Sequence, residues 1–316
     1  MRKVGIVFPG QGAQYVGMGK DLYDEFETAR KIFAEAAEIL KRDIATLCFE
    51  GPQTTLDQTV HTQTTVFTVG IAAFKVFQEE AGIIPDVMAG HSLGEYSALC
   101  AAGAITFREA LSLVQTRGQC QEGAVPQQSG CMAAVMGTEK EIVEDICNDI
   151  SKTTGLTVEV ANYNAPQQVV ISGHREAVAK AMAQLKQKGA RRIVELHVSV
   201  PCHSRLFDSA AEKFEEYLGK VTFTNCTVDV IPNLNPTIRY SKENAPMLLT
   251  RQFNSPVRWQ ETIEKMAEMG IDTVIEIGPK RTLSGLIKRI HNKMRTLNVD
   301  DIASLRKTID VMHSLS

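Results

Sequence analysis

The sequence has no CxxC pair of cysteines, no long hydrophobic segment and no strong excess of either charge. Its seven cysteines are scattered and odd in number, which argues against a disulfide framework or a zinc site and indicates a reducing compartment. The formal net charge of −3 gives no support for binding to nucleic acid or to a membrane surface. The 44% hydrophobic and 22% charged residues are ordinary for a soluble globular protein.

Neither the start of the chain nor its interior carries a segment typical of export or membrane insertion. The apolar run Val4–Phe8 ends at Pro9, which makes it too short for a secretory signal. The longest weakly polar stretch, Tyr96–Phe107, is far shorter than a membrane span. We therefore expect a cytoplasmic protein.

Hydrophobic patterning in the first part of the chain predicts buried strands alternating with helices. Val4–Phe8 is a continuous apolar run, typical of a strand buried on both faces. A short strand at Val87–Ala89 runs directly into a Gly-x-Ser-x-Gly turn at 90–94. Helices are predicted at Met18–Leu40 with one break, Thr64–Ala81, Leu93–Ala102 and Phe107–Glu122.

Beyond a connector at 123–130 the order of elements changes. The pattern becomes β-α-β-β-α-β, the order of a ferredoxin-like unit, and after Pro201 it returns to α/β character. We therefore predict a large α/β domain at 1–126 and 199–316, with a small ferredoxin-like subdomain inserted at 127–198. The six small-domain elements are predicted at Met132–Met136, Lys140–Ile150, Thr157–Ala161, Gln168–Ile171, Arg175–Lys188 and Arg192–Val198.

Ser92 lies in the turn between the predicted strand and helix, the position of a nucleophile in a nucleophile elbow. Gly90 and Gly94 permit the close backbone approach that such a turn requires. The alternative is a serine in an ordinary surface loop. A serine nucleophile needs a base, and His203 is the best candidate because it follows a predicted strand, where catalytic groups gather in open α/β sheets.

The other six histidines are weaker candidates for the base. His91 adjoins Ser92 and is expected to face away from it, and His197 falls inside a predicted strand. The remaining four lie in polar or basic segments: His61, His174, His291 and His313.

The turn FPGQGAQ at 8–14 also joins a strand to a helix. Its GxG does not extend to the dinucleotide fingerprint, because Tyr15 occupies the third glycine position. A backbone amide from this turn would instead complete an oxyanion hole with the amide that follows Ser92. A plain loop is the alternative.

Seven motifs, in order and spanning nearly the whole chain, resemble the malonyl-CoA:acyl carrier protein transacylases of type II fatty acid synthesis, which are akin to the acyltransferase domains of polyketide synthases. Because they are collinear, they are together more specific than any one of them. They are FPGQG (8–12), GHSLGEY (90–96), QTRG (115–118), ANYNAPQQVVISG (161–173), VPCHS (200–204), QFNSPVRW (252–259) and EIGP (276–279).

The resemblance implies a fold and a set of roles. The fold is an α/β-hydrolase-like domain carrying an inserted ferredoxin-like subdomain. Ser92 is implied as the acylated nucleophile and His203 as its base. The backbone N–H groups of Gln11 and Leu93 are implied as the oxyanion hole. The carbonyl that orients the histidine falls on Gln252.

The resemblance also implies substrate contacts. It makes Arg117 the partner of the free carboxylate of the substrate, and a guanidinium offers a bidentate fork for that group. From the residues alone, an arginine on this helix could equally extend along the surface. Gln252, Asn162 and Asn164 are expected at the substrate, although an Asn-rich turn explains the two asparagines equally well.

Two positions depart from the family pattern. Gln121 stands where the family commonly has Met, which could alter the pocket wall and the acyl preference. Lys280 stands where the family has the second glycine of GPG, which is expected to change a loop more than the chemistry.

The implied activity is transfer of a malonyl group from malonyl-CoA to the phosphopantetheine thiol of acyl carrier protein, through a malonyl-serine intermediate. We expect no metal, no cofactor, no nucleic acid and no membrane partner, and a monomer. A serine hydrolase acting on acyl-CoA and a non-catalytic scaffold are the alternatives. An acidic carrier protein would meet a basic face, either at 186–192 or at Lys280–Arg295, which holds six basic residues and no acidic one.

Overall fold

The computed structural model describes residues 3–126, 129–196 and 200–315, which contain two separate β-sheets and the helices packed on them. The strands are β1 (Val4–Phe8), β2 (Val87–Gly90), β3 (Gly130–Met136), β4 (Val158–Ala165), β5 (Gln168–His174), β6 (Arg192–Glu195), β7 (Asp229–Ile231), β8 (Thr273–Ile277) and β9 (Arg295–Val299).

The helices surround the sheets, and among the described residues none combines the length and apolar character that a bilayer crossing requires. They are α1 (Lys20–Glu25), α2 (Glu27–Leu40), α3 (Ile44–Glu50), α4 (Gln53–Leu56), α5 (Thr59–Ala81), α6 (Gly94–Ala101), α7 (Phe107–Glu122), α8 (Lys140–Thr154), α9 (Arg175–Gln187), α10 (Asp208–Leu218), α11 (Ala245–Gln252), α12 (Trp259–Glu268), α13 (Thr282–Ile290) and α14 (Ile302–Leu315).

The larger sheet is parallel, in the order β7-β2-β1-β8-β9. Its central strands β1, β2 and β8 are buried throughout, which explains the apolar sequences of β1 and β2, whereas β8 also buries Thr273 and Glu276. Because the strands are parallel, the turns after β1 and β2 emerge at the same edge of the sheet. That edge is where open α/β sheets bind ligands.

The smaller sheet is antiparallel, in the order β4-β5-β3-β6, and helices α8 and α9 pack on it around a core of their own. The chain runs β3-α8-β4-β5-α9-β6 through this unit. The prediction of a mixed α/β protein is therefore confirmed, with one parallel and one separate antiparallel sheet. The domain boundaries at 126/127 and 198/199 stay a prediction, and residues 127, 128 and 197–199 lie outside the described residues.

Several elements differ in length from their predicted bounds, and the differences at α5, β4 and β6 bear on the site. Helix α5 begins at Thr59 rather than Thr64, because its first turn is polar yet buried and so carries no apolar periodicity. Strand β4 continues to Ala165, so the ANYNAP segment is an irregular strand rather than a turn. The strand predicted to reach 198 ends at Glu195, and His197 lies outside the described residues.

Candidate active site

Ser92 occupies a sharp turn between β2 and α6, as the glycine spacing predicts. Its backbone is in the left-handed region, with a φ of 53°. Residues other than glycine rarely adopt this conformation. A Cβ on Gly90 would overlap the backbone of Gly94, and a Cβ on Gly94 would overlap the carbonyl oxygen of Phe8. Both glycines are therefore required by close packing, and together they hold the hydroxyl at the carboxyl edge of the sheet.

His203 lies against Ser92 although it is far away in the chain. Its Nε2 is 2.7 Å from Ser92 Oγ. Its Nδ1 lies 2.9 Å from the carbonyl oxygen of Gln252 and 3.1 Å from that of Ser255. Two carbonyl acceptors at Nδ1 favour the tautomer protonated there, which leaves Nε2 free to accept the serine proton. The ring is thus oriented by backbone carbonyls, including the one the resemblance implies.

The environment of His203 keeps the imidazole neutral. Burial and the nearby positive charge of Arg117 lower the pKa of His203 to about 3. A neutral imidazole with a free Nε2 is ready to act as a general base. His203 also has a left-handed backbone, with a φ of 60°, so both members of the Ser-His pair sit at strained positions.

Arg117 is buried beside the serine. It is 1% exposed, so the alternative of a surface arginine is wrong. Its Nη2 donates to Ser92 Oγ at 3.1 Å and to Gln252 Oε1 at 3.1 Å, and its Nε has no partner among the described residues. Within that part of the chain no carboxylate hydrogen-bonds the guanidinium. A buried cation held only by neutral acceptors favours an anionic ligand.

Glutamine amides hold Arg117 in place. Gln63 Oε1 accepts from Nη1 at 2.8 Å, and Gln121 Oε1 lies 3.4 Å from the same nitrogen. Gln63 also donates to Gln121. The departure at Gln121 thus contributes a polar wall beside the cation, where a methionine would offer only a thioether. The other departure, Lys280, donates from Nζ to the carbonyl oxygen of Gly12 at 3.0 Å.

Gln252 has a fully used side-chain amide. Its oxygen accepts from Arg117, and its nitrogen donates to the Ser92 carbonyl at 2.9 Å and to the Glu95 carboxylate. Its expected contact with substrate stays a prediction, because these bonds hold it within the protein.

The turn after β1 packs directly on the Ser92 turn. A Cβ on Gly10 would overlap the carbonyl oxygen of His91, and the His91 N–H donates to the Phe8 carbonyl at 3.0 Å. In the described part of the chain, the backbone N–H groups of Gln11 and Leu93 have no acceptor. Two free donors beside the nucleophile are what an oxyanion hole requires.

Asn162 and Asn164 lie on β4 and line a cavity of about 190 Å³ together with Gln11. Asn164 Oδ1 is 2.8 Å from His91 Nε2, and the His91 ring packs edge-on against Trp259. His91 thus faces away from the serine, as expected. The two asparagines border the turn that carries Gln11, and their contact with substrate stays a prediction.

Asn233 and Glu95 complete the site, although neither is among the site residues predicted from the sequence. Asn233 Oδ1 accepts from the Ser92 N–H at 2.7 Å, and its Nδ2 donates to the Gly90 carbonyl at 2.6 Å. Glu95 accepts from Gln252, from Tyr240 and from the Asn233 N–H. A signal existed for each: Asn233 closely follows a strand of the parallel sheet, and Glu95 lies inside the GHSLGEY motif.

The arrangement combines a nucleophile, a neutral base, a buried cation and two free amide donors. Over the ranges that the structure covers, no group of three or more His, Cys, Asp or Glu side chains could hold a metal ion. Such a set can attack a carbonyl carbon, hold the resulting oxyanion and bind an anionic group on the same substrate.

Comparison with known proteins agrees with this geometry. Residues 6–309 match the acyl transferase domain family. The chain belongs to that family. A similar protein, the malonyl CoA-acyl carrier protein transacylase of Bacillus subtilis (strain 168), is 40% identical over 312 residues, covering 99% of this chain and 98% of the relative.

Solved structures of similar proteins superpose closely on this member of the acyl transferase family. The acyl carrier protein S-malonyltransferase of Vibrio cholerae matches with a TM-score of 0.94 at 40% identity, covering 97% of this chain and 99% of the other. A malonyl-transacylase solved in complex with its type II PKS acyl-carrier protein matches with a TM-score of 0.95 at 40% identity, covering 98% and 99%.

Proposed function

We propose that this chain transfers a malonyl group from malonyl-CoA to the phosphopantetheine thiol of acyl carrier protein in fatty acid biosynthesis. One observation carries the proposal: the Ser92 hydroxyl contacts both the neutral imidazole of His203 and the buried guanidinium of Arg117. A nucleophile beside a cation selects an acyl group that carries its own negative charge. The names of the relatives support malonyl as that group and acyl carrier protein as the acceptor.

In the first half-reaction, malonyl-CoA enters with its free carboxylate on Arg117. The carboxylate replaces Ser92 Oγ as an acceptor at Nη2, and the adjacent Nε, which has no acceptor among the described residues, completes a bidentate contact. His203 Nε2 takes the proton of Ser92 as Oγ attacks the thioester carbonyl. The amides of Gln11 and Leu93 stabilise the oxyanion, and each lowers the activation barrier by about 3–4 kcal/mol.

The tetrahedral intermediate then collapses to the malonyl ester of Ser92. The carbon–sulfur bond breaks, and His203 returns the proton to the departing CoA thiolate. In the second half-reaction the pantetheine thiol loses its proton to His203 and attacks the ester. The thioester forms, the serine oxygen recovers its proton, and the enzyme is restored without a metal or a cofactor.

We also propose that the two sheets belong to two units of known fold type. The strand order β4-β5-β3-β6 with its β-α-β-β-α-β connection supports a ferredoxin-like subdomain at 127–198. The parallel sheet with its strand-turn-helix at Ser92 supports an α/β-hydrolase-like domain at 1–126 and 199–316. All seven cysteines are free, which supports a cytoplasmic enzyme; we propose that it acts as a monomer.

Of the two basic segments, Lys280–Arg295 is better placed for carrier docking. Helix α13 within it lines the 190 Å³ cavity that also contains Gln11, and Lys280 contacts Gly12 in the same turn. An acidic carrier bound here would present its pantetheine arm near the serine. Transfer to the carrier should then weaken with salt, whereas formation of the acyl-enzyme from malonyl-CoA should not.

The deciding experiment is intact-protein mass measurement after mixing with malonyl-, methylmalonyl- or acetyl-CoA. We expect a malonyl adduct that Ser92→Ala abolishes and Ser97→Ala retains, since Ser97 is buried on α6, the helix that follows the Ser92 turn, and makes no hydrogen bond with His203. Label surviving in Ser92→Ala contradicts the proposed nucleophile. Release of free malonate without a carrier indicates a hydrolase, and the absence of any adduct on the wild-type chain indicates a scaffold.

A further inference from the structure

A buried carboxylate lies behind the site and takes no part in the steps above. Glu95 is 1% exposed and accepts three hydrogen bonds. Oε1 receives the Tyr240 hydroxyl and the Asn233 N–H, the latter at 3.2 Å, and Oε2 receives Gln252 Nε2. All three groups donate to Glu95, so the ionised carboxylate, which only accepts, satisfies them all.

We propose that Glu95 is a positioning residue that fixes the amide of Gln252 and, through it, the guanidinium of Arg117 in the orientation that receives the substrate carboxylate. An amide can present either its oxygen or its nitrogen to a neighbour. Because the carboxylate demands the Gln252 nitrogen, the Gln252 oxygen must face Arg117, 3.1 Å from Nη2. The inference rests on the proposed function and deepens it.

The same carboxylate reaches the nucleophile by a second route. Its partner Asn233 holds both ends of the Ser92 turn, accepting from the Ser92 N–H and donating to the Gly90 carbonyl. Gln252 adds a bond to the Ser92 carbonyl. Glu95 therefore helps to hold the left-handed backbone at Ser92 as well as the guanidinium of Arg117. Its negative charge lies on the other side of the Gln252 amide from Arg117.

A glutamine at position 95 cannot reproduce this pattern. If its oxygen faces Gln252, its NH2 meets the Asn233 N–H, which is a donor only. If its NH2 faces Gln252, the Gln252 amide must turn and direct its own NH2 at Arg117. Either arrangement sets donor against donor at a buried position, so the isosteric change Glu95→Gln isolates the role of the carboxylate.

Ionisation of Glu95 provides a further readout. Burial raises the pKa of the Glu95 carboxyl to about 7, although bonds from Tyr240 and Gln252 and the charge of Arg117 oppose the rise. The charged or titratable groups around it are Arg117 on α7, Tyr96 on its own helix, Tyr240, and His203 beyond the Gln252 backbone. The acylation rate should rise with pH through this value, as the carboxylate forms.

The test compares initial rates of acyl-enzyme formation from malonyl-CoA and acetyl-CoA, by rapid quench and intact mass. Glu95→Gln should lower the malonyl rate roughly 10- to 100-fold and the acetyl rate less, so the malonyl-to-acetyl ratio falls. In an Arg117→Ala background the same change should leave that ratio unaltered, because its effect on the ratio passes through Arg117. A malonyl-to-acetyl rate ratio that does not fall in Glu95→Gln, whether both rates drop equally or neither drops, overturns the proposal.

Two further variants keep the result interpretable. Glu276→Gln alters another buried carboxyl, which accepts from the N–H groups of Leu283 and Ser284 away from Arg117, and it should leave the ratio unchanged. Tyr240→Phe keeps the carboxylate but removes a bond that lowers its pKa, so the rise of rate with pH should move to higher pH. An unmoved profile overturns the proposal even if Glu95→Gln does not fold. A wild-type chain that forms no malonyl adduct contradicts the proposed function instead.

Discussion

Arg117 and Ser92 are joined directly: Nη2 of the guanidinium donates to the serine Oγ at 3.1 Å. The group proposed to bind the substrate carboxylate therefore also contacts the nucleophile. A malonyl ester on Ser92 would keep its carboxylate within reach of the same cation, whereas an acetyl ester would leave that charge without an anionic partner. The Ser92 oxygen that attacks the acyl carbonyl is therefore in direct contact with the group proposed to select the acyl chain.

Arg117→Ala should lower acylation by malonyl-CoA far more than acylation by acetyl-CoA. Losing one partner of a buried charge pair costs about 2–5 kcal/mol, a loss of roughly 30-fold or more. Intact-protein mass measurement gives the rate of adduct formation with each substrate in one assay. Arg117→Lys is the matched control, since it keeps the charge without the fork and should recover part of the malonyl rate. Equal losses for the two substrates in Arg117→Ala would remove the carboxylate role.

Gly10→Ala should slow acylation by every acyl-CoA to the same degree. The added Cβ would overlap the His91 carbonyl oxygen, so the turn must shift and carry the Gln11 N–H away from the oxyanion. A displacement of this kind costs roughly 100-fold in rate.

The measurement for Gly10→Ala is the single-turnover rate with malonyl-CoA and acetyl-CoA. Gly285→Ala is the control, because a Cβ there meets nothing within 4 Å. A normal rate in Gly10→Ala, with the variant folded, would separate this turn from the oxyanion hole.

The sequence predicted the elements that depend on local pattern. Strand β1 and helix α7 have the predicted bounds, because the apolar run of the strand and the capping box from Thr106 to Glu109 at the start of the helix are local features. The glycines at 90 and 94 likewise predicted the turn that holds Ser92.

Contacts between distant segments could not be predicted in this way. Asn233 and Gln63 are ordinary polar residues in the sequence, and only the fold brings one to the Ser92 backbone and the other to Arg117. Polar residues that are buried because they pair with one another leave no trace in hydrophobic periodicity. For the same reason the polar first turn of α5 was missed.

Gln121→Met, which restores the residue common in the family, should weaken malonyl-CoA binding. The change removes the amide oxygen 3.4 Å from Arg117 Nη1 and leaves the Gln63 NH2 without its acceptor. Losing a neutral hydrogen bond of this kind is worth about 0.5–1.5 kcal/mol, so KM for malonyl-CoA should rise about two- to tenfold. Gln119→Met, on an exposed position of the same helix, is the control. A lower KM in Gln121→Met would show that the amide obstructs the site.

The low pKa of His203 makes folding stability depend on pH in a defined direction. In the unfolded chain the imidazole binds a proton below its ordinary value of 6.5, whereas in the folded protein it stays neutral down to about 3. The unfolded state therefore binds more protons in this window, and the free energy of unfolding falls as the pH falls through it. Above 6.5 both states are neutral and the effect disappears.

His203→Asn removes this titration and is compatible with the left-handed backbone, which asparagine tolerates. Relative to the variant, the wild-type protein should lose about 1.4 kcal/mol of unfolding free energy for each pH unit below 6.5. Urea unfolding of both proteins at pH 7 and pH 5 measures the difference, and the remaining six histidines cancel because both proteins contain them. A difference that does not change between the two pH values would mean that the folded imidazole takes up its proton in the ordinary range, and His203 would then be charged at the acid end of that range and unable to accept the proton of Ser92.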